Sequence, residues 1–333
     1  MRMTLKMAAL VAAATMLLWG TAAAKTTWDF YSFVPITHPI GAHLKAFTDE
    51  VRKRTNGELD IVFRPAGELP FRATEVVKVV SQNQVQVGEA YQGFISGTTP
   101  LAGVAGLPYL VRTYDDLAKV YPIIERTATK EFAKFGVKIL FYHSWPEQNL
   151  YGVGKPIRSA ADFNGRKLRV TDPKQSEMLS RLGAASVTLT TPEVPVALER
   201  RTVEGVTTAA FNAVGAKWAE LLEWAFFSEI NIGGPEYILV NQRAYDSLPA
   251  NVRSVLDEVS AEWGPRMIAN VSAREKADRL TLNKKFNIEL IYPTEAQLDA
   301  LIARVQPYWE EWGRANGPEG EKLVADIRAA LGK

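Results

Sequence analysis

Arg169 is the residue of this chain whose type and position best suit a defined chemistry. It stands near the end of the short segment Gly165-Arg166-Lys167-Leu168-Arg169-Val170, which Thr171-Asp172-Pro173 follows as a helix start. A guanidinium presents a planar fork of donors that can bind a carboxylate through two parallel hydrogen bonds. The position therefore makes Arg169 a candidate carboxylate-binding residue, against the alternative of an ordinary surface charge.

The sequence lacks the residue patterns that known enzyme mechanisms require. The three histidines, His38, His43 and His143, form no HExxH motif, and His38 and His43 are five residues apart instead of four. The sequence has no GxSxG motif, no phosphate-binding loop and no GxGxxG fingerprint. It also lacks cysteine, which excludes disulfides, thiolate metal sites and a cysteine nucleophile. The sequence favours a binding protein over an enzyme.

Residues 1–24 have the pattern of a secretory signal peptide. Arg2 and Lys6 form a positive start, an apolar stretch follows at 7–18, and Ala22-Ala23-Ala24 provides a small-residue cleavage site. The apolar stretch is shorter than the roughly 20 residues of a membrane-spanning helix, which argues against the alternative of a retained anchor. We therefore expect a mature protein that begins at Lys25 and is exported to the periplasm.

The charge balance limits the class of partner. Residues 1–24 hold two basic and no acidic residues, so 37 basic residues would face 37 acidic ones in the mature chain. A neutral chain gives no reason to expect nucleic acid as the partner. The predicted mature length of 309 residues favours two domains and a core large enough to fold without disulfides.

The elements that must position Arg169 follow a regular alternation of strands and helices, which is typical of an α/β fold. Strands are predicted at 28–33, 59–63, 85–91, 137–142, 167–170, 187–189, 203–208, 237–241 and 288–292. Helices are predicted around 40–51 and at 72–83, 114–135, 173–183, 213–224 and 249–286, and another begins at 191. A capping box of Thr294 and Gln297 is expected to begin the C-terminal helices.

Short landmarks follow one another in a fixed order along the chain. They are Val34-Pro35 with His38-Pro39, Thr55 to Leu59, Gly67-Glu68-Leu69, Leu107-Pro108-Tyr109, 162–170, Pro192 with Ala197-Leu198, Val203-Glu204-Gly205 and Tyr245 to Pro249. With these landmarks the chain resembles the substrate-binding proteins of tripartite ATP-independent periplasmic (TRAP) transporters, of the C4-dicarboxylate-binding type. The resemblance covers nearly the whole mature sequence. It implies two α/β lobes with mixed sheets, joined by crossing strands and a long helix, and a ligand cleft that closes between them.

The resemblance also implies a division of the chain and a set of partners. Lobe I would comprise residues 25–146 with about 235–274, and lobe II about 147–234 with 275–333. The closed form would deliver its ligand to the membrane permease subunits of a TRAP transporter. Receptors of an ABC permease or a sensor kinase are the alternative, because two-lobed binding proteins share one fold principle.

The resemblance assigns Arg169 to the family arginine that pairs with the substrate carboxylate. Where some relatives carry a second arginine, this chain has Gln148, which resembles relatives that bind 2-oxo or 2-hydroxy acids. A neutral amide adds no charge to neutralise a second carboxylate. We therefore expect a monocarboxylate with a 2-oxo or 2-hydroxy group or an aromatic side chain, with a C4-dicarboxylate as the alternative.

Further cleft contacts are expected, each with a structural alternative. Tyr91 would donate its hydroxyl, and Thr208 stands where sialic-acid-binding relatives have asparagine. The aromatic candidates serve equally well as core residues, and a histidine before a proline also suits a helix start. No cofactor is expected, although a cation bridging the carboxylate near Glu229 or Glu236 stays open. The full set of expected ligand contacts is Arg169, Gln148, Tyr91, Thr208, Phe211, Trp145, Phe33 and His38.

The apolar residues Val305, Trp309 and Trp312 lie at helical spacing near the C-terminus. They would suit a dimer interface, or the packing of that helix on its own lobe. Amphipathic helices usually face their own core, so we expect the second.

Overall fold

The computed structural model describes residues 25–333, so the predicted signal peptide lies outside the described residues. Within this range, nine strands form one mixed sheet. They are β1 (Thr26–Tyr31), β2 (Leu59–Arg64), β3 (Val87–Tyr91), β4 (Val137–Gly152), β5 (Lys167–Val170), β6 (Ala185–Thr188), β7 (Gly205–Thr208), β8 (Trp224–Asn241) and β9 (Glu289–Ile291). Their order is β2-β1-β3-β8-β4-β7-β5-β6, and β9 pairs with β8.

Helices connect these strands in the alternation that the sequence predicts. The α-helices are α1 (Pro39–Arg54), α2 (Val76–Ser81), α3 (Tyr114–Ala133), α4 (Pro173–Arg181), α5 (Val194–Glu199), α6 (Ala210–Gly215), α7 (Gln242–Asp246), α8 (Ala250–Phe286), α9 (Glu295–Val305), α10 (Pro307–Ala315) and α11 (Gly317–Leu331). Short 3-10 helices occur at Ala73–Glu75, Leu101–Gly106, Ala160–Phe163, Thr191–Glu193 and Trp218–Glu220.

The sheet has two halves, each built from three parallel strands. β1 pairs in parallel with β2 and β3 in the first half, and β5 pairs in parallel with β6 and β7 in the second half. Parallel strands need crossover connections, which the helices between them supply. The ends of these strands are where loops carry functional side chains in α/β proteins.

The long strands β4 and β8 join the two halves. β8 pairs with β3 through residues 236–240 and with β9 through residues 224–226, while the end of β4 pairs with β7. The β4–β8 register shifts at four places between residues 139 and 150. Each strand therefore runs from one half into the other, through a ladder that is irregular at its middle.

The sequence predicted only one end of each long strand. The strands predicted at 137–142 and 237–241 are confirmed, but β4 continues to Gly152 and β8 begins at Trp224. The helix predicted at 213–224 is wrong, because α6 ends at Gly215 and a 3-10 turn precedes β8. Both faces of β8 are covered, so its buried residues show none of the alternation that marks a half-exposed strand.

Helix α8 spans both halves of the sheet, as expected for the long helix. Near its middle, the indole nitrogen of Trp263 donates to the carbonyl oxygen of His43 on α1 at 3.1 Å. About three turns of the helix further on, Glu275 accepts from the backbone N–H of Phe211 on α6 at 2.7 Å. Pro265 lies within the helix and does not end it.

The C-terminal helices pack on the chain itself. Val305, Trp309 and Trp312 are buried, and the indole nitrogen of Trp309 donates to the carbonyl oxygen of Pro108 at 2.8 Å. The expectation that these residues face their own chain is confirmed. Helix α11 lies against α3. The boundaries of the two lobes stay a prediction. Across residues 25–333, no helix has the length and apolar character needed to cross a membrane.

Candidate functional site

A narrow cavity of about 30 Å³ lies where the two halves of the sheet meet. Its walls come from the ends of β3, β5 and β7, from the middle of β4, and from the loops and the helix that follow these strands. Six of the eight predicted contacts are among the residues that line it. The lining residues are Phe33, Tyr91, Phe94, Trp145, Gln148, Arg169, Thr171, Thr191, Thr208 and Asn212.

Arg169 is held rigidly by backbone acceptors. Its Nε donates to the carbonyl oxygen of Leu189 at 2.9 Å, and its Nη1 donates to that of Thr207 at 3.0 Å. A guanidinium has five N–H donors, so three remain after these two bonds. The two bonds fix the plane of the group and leave donors on both terminal nitrogens for a bidentate partner.

The charge of Arg169 has no carboxylate beside it. The residue is only 2% exposed, yet within residues 25–333 no Asp or Glu oxygen lies within 4 Å of its nitrogens. Burial lowers the pKa of Arg169 to about 10, which still leaves it protonated at neutral pH. The ring of Trp218, 5.6 Å away, gives partial compensation through a cation–π contact. The cavity therefore contains a buried positive charge.

Aromatic rings form one side of the cavity. Phe94 packs edge-on against both Phe33 and Tyr91, with ring centroids 5.2 Å apart in each pair. Trp145 lies on β4, and its indole nitrogen donates to Glu236. Burial raises the pKa of Tyr91, so its hydroxyl stays protonated and able to donate. This side can pack against an apolar group and still offer a donor.

Polar side chains form the other side. The Nδ2 of Asn212 donates to the hydroxyl of Thr208 at 2.9 Å, and the Oδ1 of Asn212 is buried with no partner among residues 25–333. The Nε2 of Gln148 donates to the carbonyl oxygen of Pro146 at 2.8 Å. Next to the guanidinium of Arg169, these side chains can therefore form further hydrogen bonds with a ligand.

His38 and Phe211 lie behind the cavity wall instead of lining it. The His38 ring is 5.3 Å from that of Trp145 and 5.4 Å from that of Phe211. Its Nδ1 accepts from the N–H of Ile40 and caps α1. Burial lowers the pKa of His38 to about 4, so the ring is neutral. A role for either residue in binding stays a prediction, and their visible role is to support Trp145.

Sequence reasoning missed four residues of the lining: Phe94, Thr171, Thr191 and Asn212. Thr171 directly follows β5, and Asn212 stands one helical turn after Thr208. Both positions follow from the rule that site residues cluster beyond the carboxyl ends of parallel strands. Phe94 follows β3 in a loop without a pattern of its own.

The two carboxylates considered for a bridging cation do not line the cavity. Glu229 pairs with Arg112 at 2.7 Å. Glu236 is fully buried, accepts from the indole of Trp145 and is not among the residues that line the cavity. Among the residues that line the cavity there is no carboxylate, so these residues do not fit a cation bridged to a ligand by protein carboxylates.

The comparisons with known proteins decide the family. Residues 30–315 match the model of DctP, the bacterial extracellular solute-binding protein family 7. This chain belongs to that family. The predicted membership of the TRAP solute-binding proteins is thereby confirmed, as is the expectation that this solute-binding protein is not an enzyme.

Relatives and solved structures of this family match the solute-binding protein along most of its length. The C4-dicarboxylate-binding periplasmic protein DctP of Rhodobacter capsulatus is 27% identical over 82% of this chain and 80% of its own. The crystal structure of DctP6 from Bordetella pertussis, a receptor that binds pyroglutamic acid, is 23% identical. It covers 91% of this chain and 100% of its own with a TM-score of 0.85. The predicted two-lobed α/β fold class is confirmed.

A second structure shows the same fold. A TRAP solute-binding protein from Chromohalobacter salexigens, solved with bound D-glucuronate, is 20% identical and covers 91% of this chain and 99% of its own. Its TM-score is 0.84. The architecture of this solute-binding protein is therefore shared by receptors whose sequences have diverged widely.

Proposed function

We propose that this protein is a periplasmic receptor that captures a small organic monocarboxylate and delivers it to a TRAP permease. The observation that carries the proposal is the buried guanidinium of Arg169, which has no carboxylate within 4 Å in residues 25–333. A buried charge costs several kcal/mol unless it is paired. A ligand carboxylate in the cavity would supply that partner.

The neutral residue Gln148 favours one carboxylate over two. The cavity lining contains one cationic side chain, Arg169, so a second carboxylate would be buried without a counter-charge. Gln148, Thr208 and Asn212 would instead serve a 2-oxo, 2-hydroxy or amide group next to the carboxylate. A C4-dicarboxylate is the alternative, and the Rhodobacter relative is named for that ligand class.

The walls and volume indicate a compact ligand. The cavity holds only about 30 Å³, far below the roughly 300–1,000 Å³ of typical ligand sites, which favours a small ligand. Phe33, Phe94 and Trp145 would pack against a small ring or a branched side chain. Pyroglutamic acid, the ligand of DctP6 and DctP7 from Bordetella pertussis, is a cyclic monocarboxylate. The nitrogen of its ring amide is attached to the carbon that carries the carboxylate.

Closure and delivery follow from the same site. Phe33 and Tyr91 belong to the first half of the sheet, and Arg169 and Thr208 to the second, so a ligand bound by all four holds the halves together. Such differential contact is what hinge closure requires. Genes for a large and a small membrane subunit beside this gene would support the TRAP system. A neighbouring ATPase gene would favour an ABC permease.

A thermal-shift screen of the mature protein tests the proposal. The protein is unfolded and refolded to remove any bound ligand, and then screened against 2-oxo acids, 2-hydroxy acids, pyroglutamate, C4-dicarboxylates, neutral sugars and amines. A ligand at 100 times its Kd stabilises by about 2.7 kcal/mol, a shift of a few degrees. Hits confined to monocarboxylates support the proposal. Hits confined to sugars or amines would overturn the role of Arg169.

A further inference from the structure

Three ionisable side chains meet in the core beneath the cavity. Glu89, His143 and Glu236 lie on the neighbouring strands β3, β4 and β8, where Glu236 is the register partner of His143. Each of the three is 0% exposed. None lines the ligand cavity, so this cluster is separate from the proposed ligand site.

The cluster contains polar atoms that the protein does not satisfy. Within residues 25–333, the Oε1 atoms of Glu89 and Glu236 and both ring nitrogens of His143 have no hydrogen-bond partner. No lysine or arginine nitrogen in that range lies within 4 Å of either carboxylate. Buried polar groups without partners are rare in native proteins, and buried carboxylates without a counter-charge are costly. The described part of the chain supplies no cationic side chain to either carboxyl group, so the cluster takes up either protons or a bound cation.

Possible ligand atoms of the three residues lie close together, as in a metal site. One ligand atom from each residue lies within 4.8 Å of the other two. The Nε2 of His143 is 3.4 Å from the Oε2 of Glu236, and bonds of about 2.0–2.1 Å in a tetrahedral site place neighbouring ligand atoms about 3.3 Å apart.

The ligand types select the kind of cation. An imidazole with two carboxylates suits zinc and similar transition metals, whereas magnesium and calcium prefer oxygen ligands alone. One oxygen of each carboxylate also has a protein donor, as expected around a metal. The Oε2 of Glu89 accepts from the hydroxyl of Ser32 at 2.5 Å, and the Oε2 of Glu236 accepts from the indole of Trp145.

We propose that Glu89, His143 and Glu236 bind one divalent transition-metal cation of the zinc type in a fully buried site with three protein ligands. The cation neutralises the two carboxylates and gives one of the two unpartnered ring nitrogens of His143 an atom to coordinate. Because Trp145 donates to Glu236 and also lines the cavity, the metal holds one wall of the ligand site in place. It does not touch the ligand.

Metal analysis of the full mature chain tests the site. Protein is produced with zinc in the medium, dialysed, and analysed for metal by mass spectrometry, with about one zinc per chain expected. Protein unfolded and refolded with chelator should regain a higher Tm when Zn²⁺ is added. Glu89→Gln and Glu236→Gln should lose the metal. Glu131→Gln, at another buried glutamate, should retain it.

Cobalt substitution keeps the test decisive if those variants do not fold. Wild-type protein refolded with Co²⁺ should develop the intense visible absorption of a four-coordinate site, and Zn²⁺ should abolish it by competition. Refolded wild-type protein that binds neither ion would overturn the proposal, and the cluster would then be held by protons. Equal metal content in Glu89→Gln, Glu236→Gln and wild type would also overturn it.

Discussion

The Nη1 of Arg169, on β5, donates to the backbone carbonyl of Thr207, on the neighbouring strand β7, at 3.0 Å. This bond and the one to Leu189 tie the guanidinium to the backbone of the second half of the sheet. The side chain therefore loses little conformational entropy when a ligand binds. A donor fixed before the ligand arrives contributes more to affinity than a flexible one.

Replacing Arg169 by alanine should weaken binding of a carboxylate by roughly 2–5 kcal/mol, because the ligand's charge would then be buried without a partner. The ligand-free variant should be at least as stable as wild type, since a costly unpaired charge is removed. Titration calorimetry and thermal unfolding measure the two effects. Arg158→Ala, at an exposed arginine that pairs with Glu289, is the control. Equal affinity in Arg169→Ala would contradict the carboxylate role.

Replacing Gln148 by arginine should shift preference toward dicarboxylates. Gln148 lines the same cavity as Arg169, and a second guanidinium would neutralise a second ligand carboxylate. We expect the ratio of dicarboxylate to monocarboxylate affinity to rise at least tenfold, or about 1.4 kcal/mol. Competition titration with a matched pair of acids measures the ratio. Gln148→Met should leave dicarboxylate binding weak, and an unchanged ratio in Gln148→Arg would count against this assignment.

Replacing Gly93 by alanine should impair closure of the cavity. A Cβ at this position would lie 2.8 Å from Tyr91, 3.0 Å from Asp172 and 3.1 Å from Thr171. Overpacking of this kind costs about 1–3 kcal/mol, and if it falls on the closed form the Kd rises by about 5- to 150-fold. Titration calorimetry measures the change. Gly97→Ala, where a Cβ would meet nothing, should bind normally, and equal affinities in the two variants would refute the steric argument.

Replacing His38 by asparagine should remove a pH dependence of stability. Burial lowers the pKa of His38 to about 4 in the folded state, against about 6.5 in the unfolded chain. Below pH 6.5 the unfolded state binds the proton first, so wild-type stability falls by up to about 3 kcal/mol between pH 6.5 and 4. Asparagine keeps an acceptor for the N–H of Ile40 and does not titrate. Urea unfolding at several pH values compares the slopes, and identical slopes would contradict the prediction.

Local signals in the sequence predicted the elements that are half exposed or capped. Asp172 caps α4 and accepts from two backbone N–H groups, as the Asp-Pro pair indicates, and the capping box of Thr294 and Gln297 is present. The apolar face of α1, formed by Ile40, Leu44, Phe47 and Val51, is buried at all four positions, as its helical spacing predicts. These features depend on interactions within about one helical turn, which the sequence displays directly.

The central strands and part of the site depended on long-range contacts. β8 is buried on both faces, and the first thirteen residues of its eighteen were therefore not predicted as strand. The cluster of Glu89, His143 and Glu236 joins residues up to 147 positions apart in the sequence. Only the order of the strands in the sheet brings these residues together, and the local sequence around each residue does not indicate that order.

The irregular middle of the β4–β8 ladder combines two properties in one stretch of chain. Register shifts interrupt the pairing between residues 139 and 150, and interrupted pairing lets a strand bend. Trp145 and Gln148, which line the cavity, lie within that same stretch. A ligand in the cavity would therefore contact the same part of the ladder at which the strands can bend.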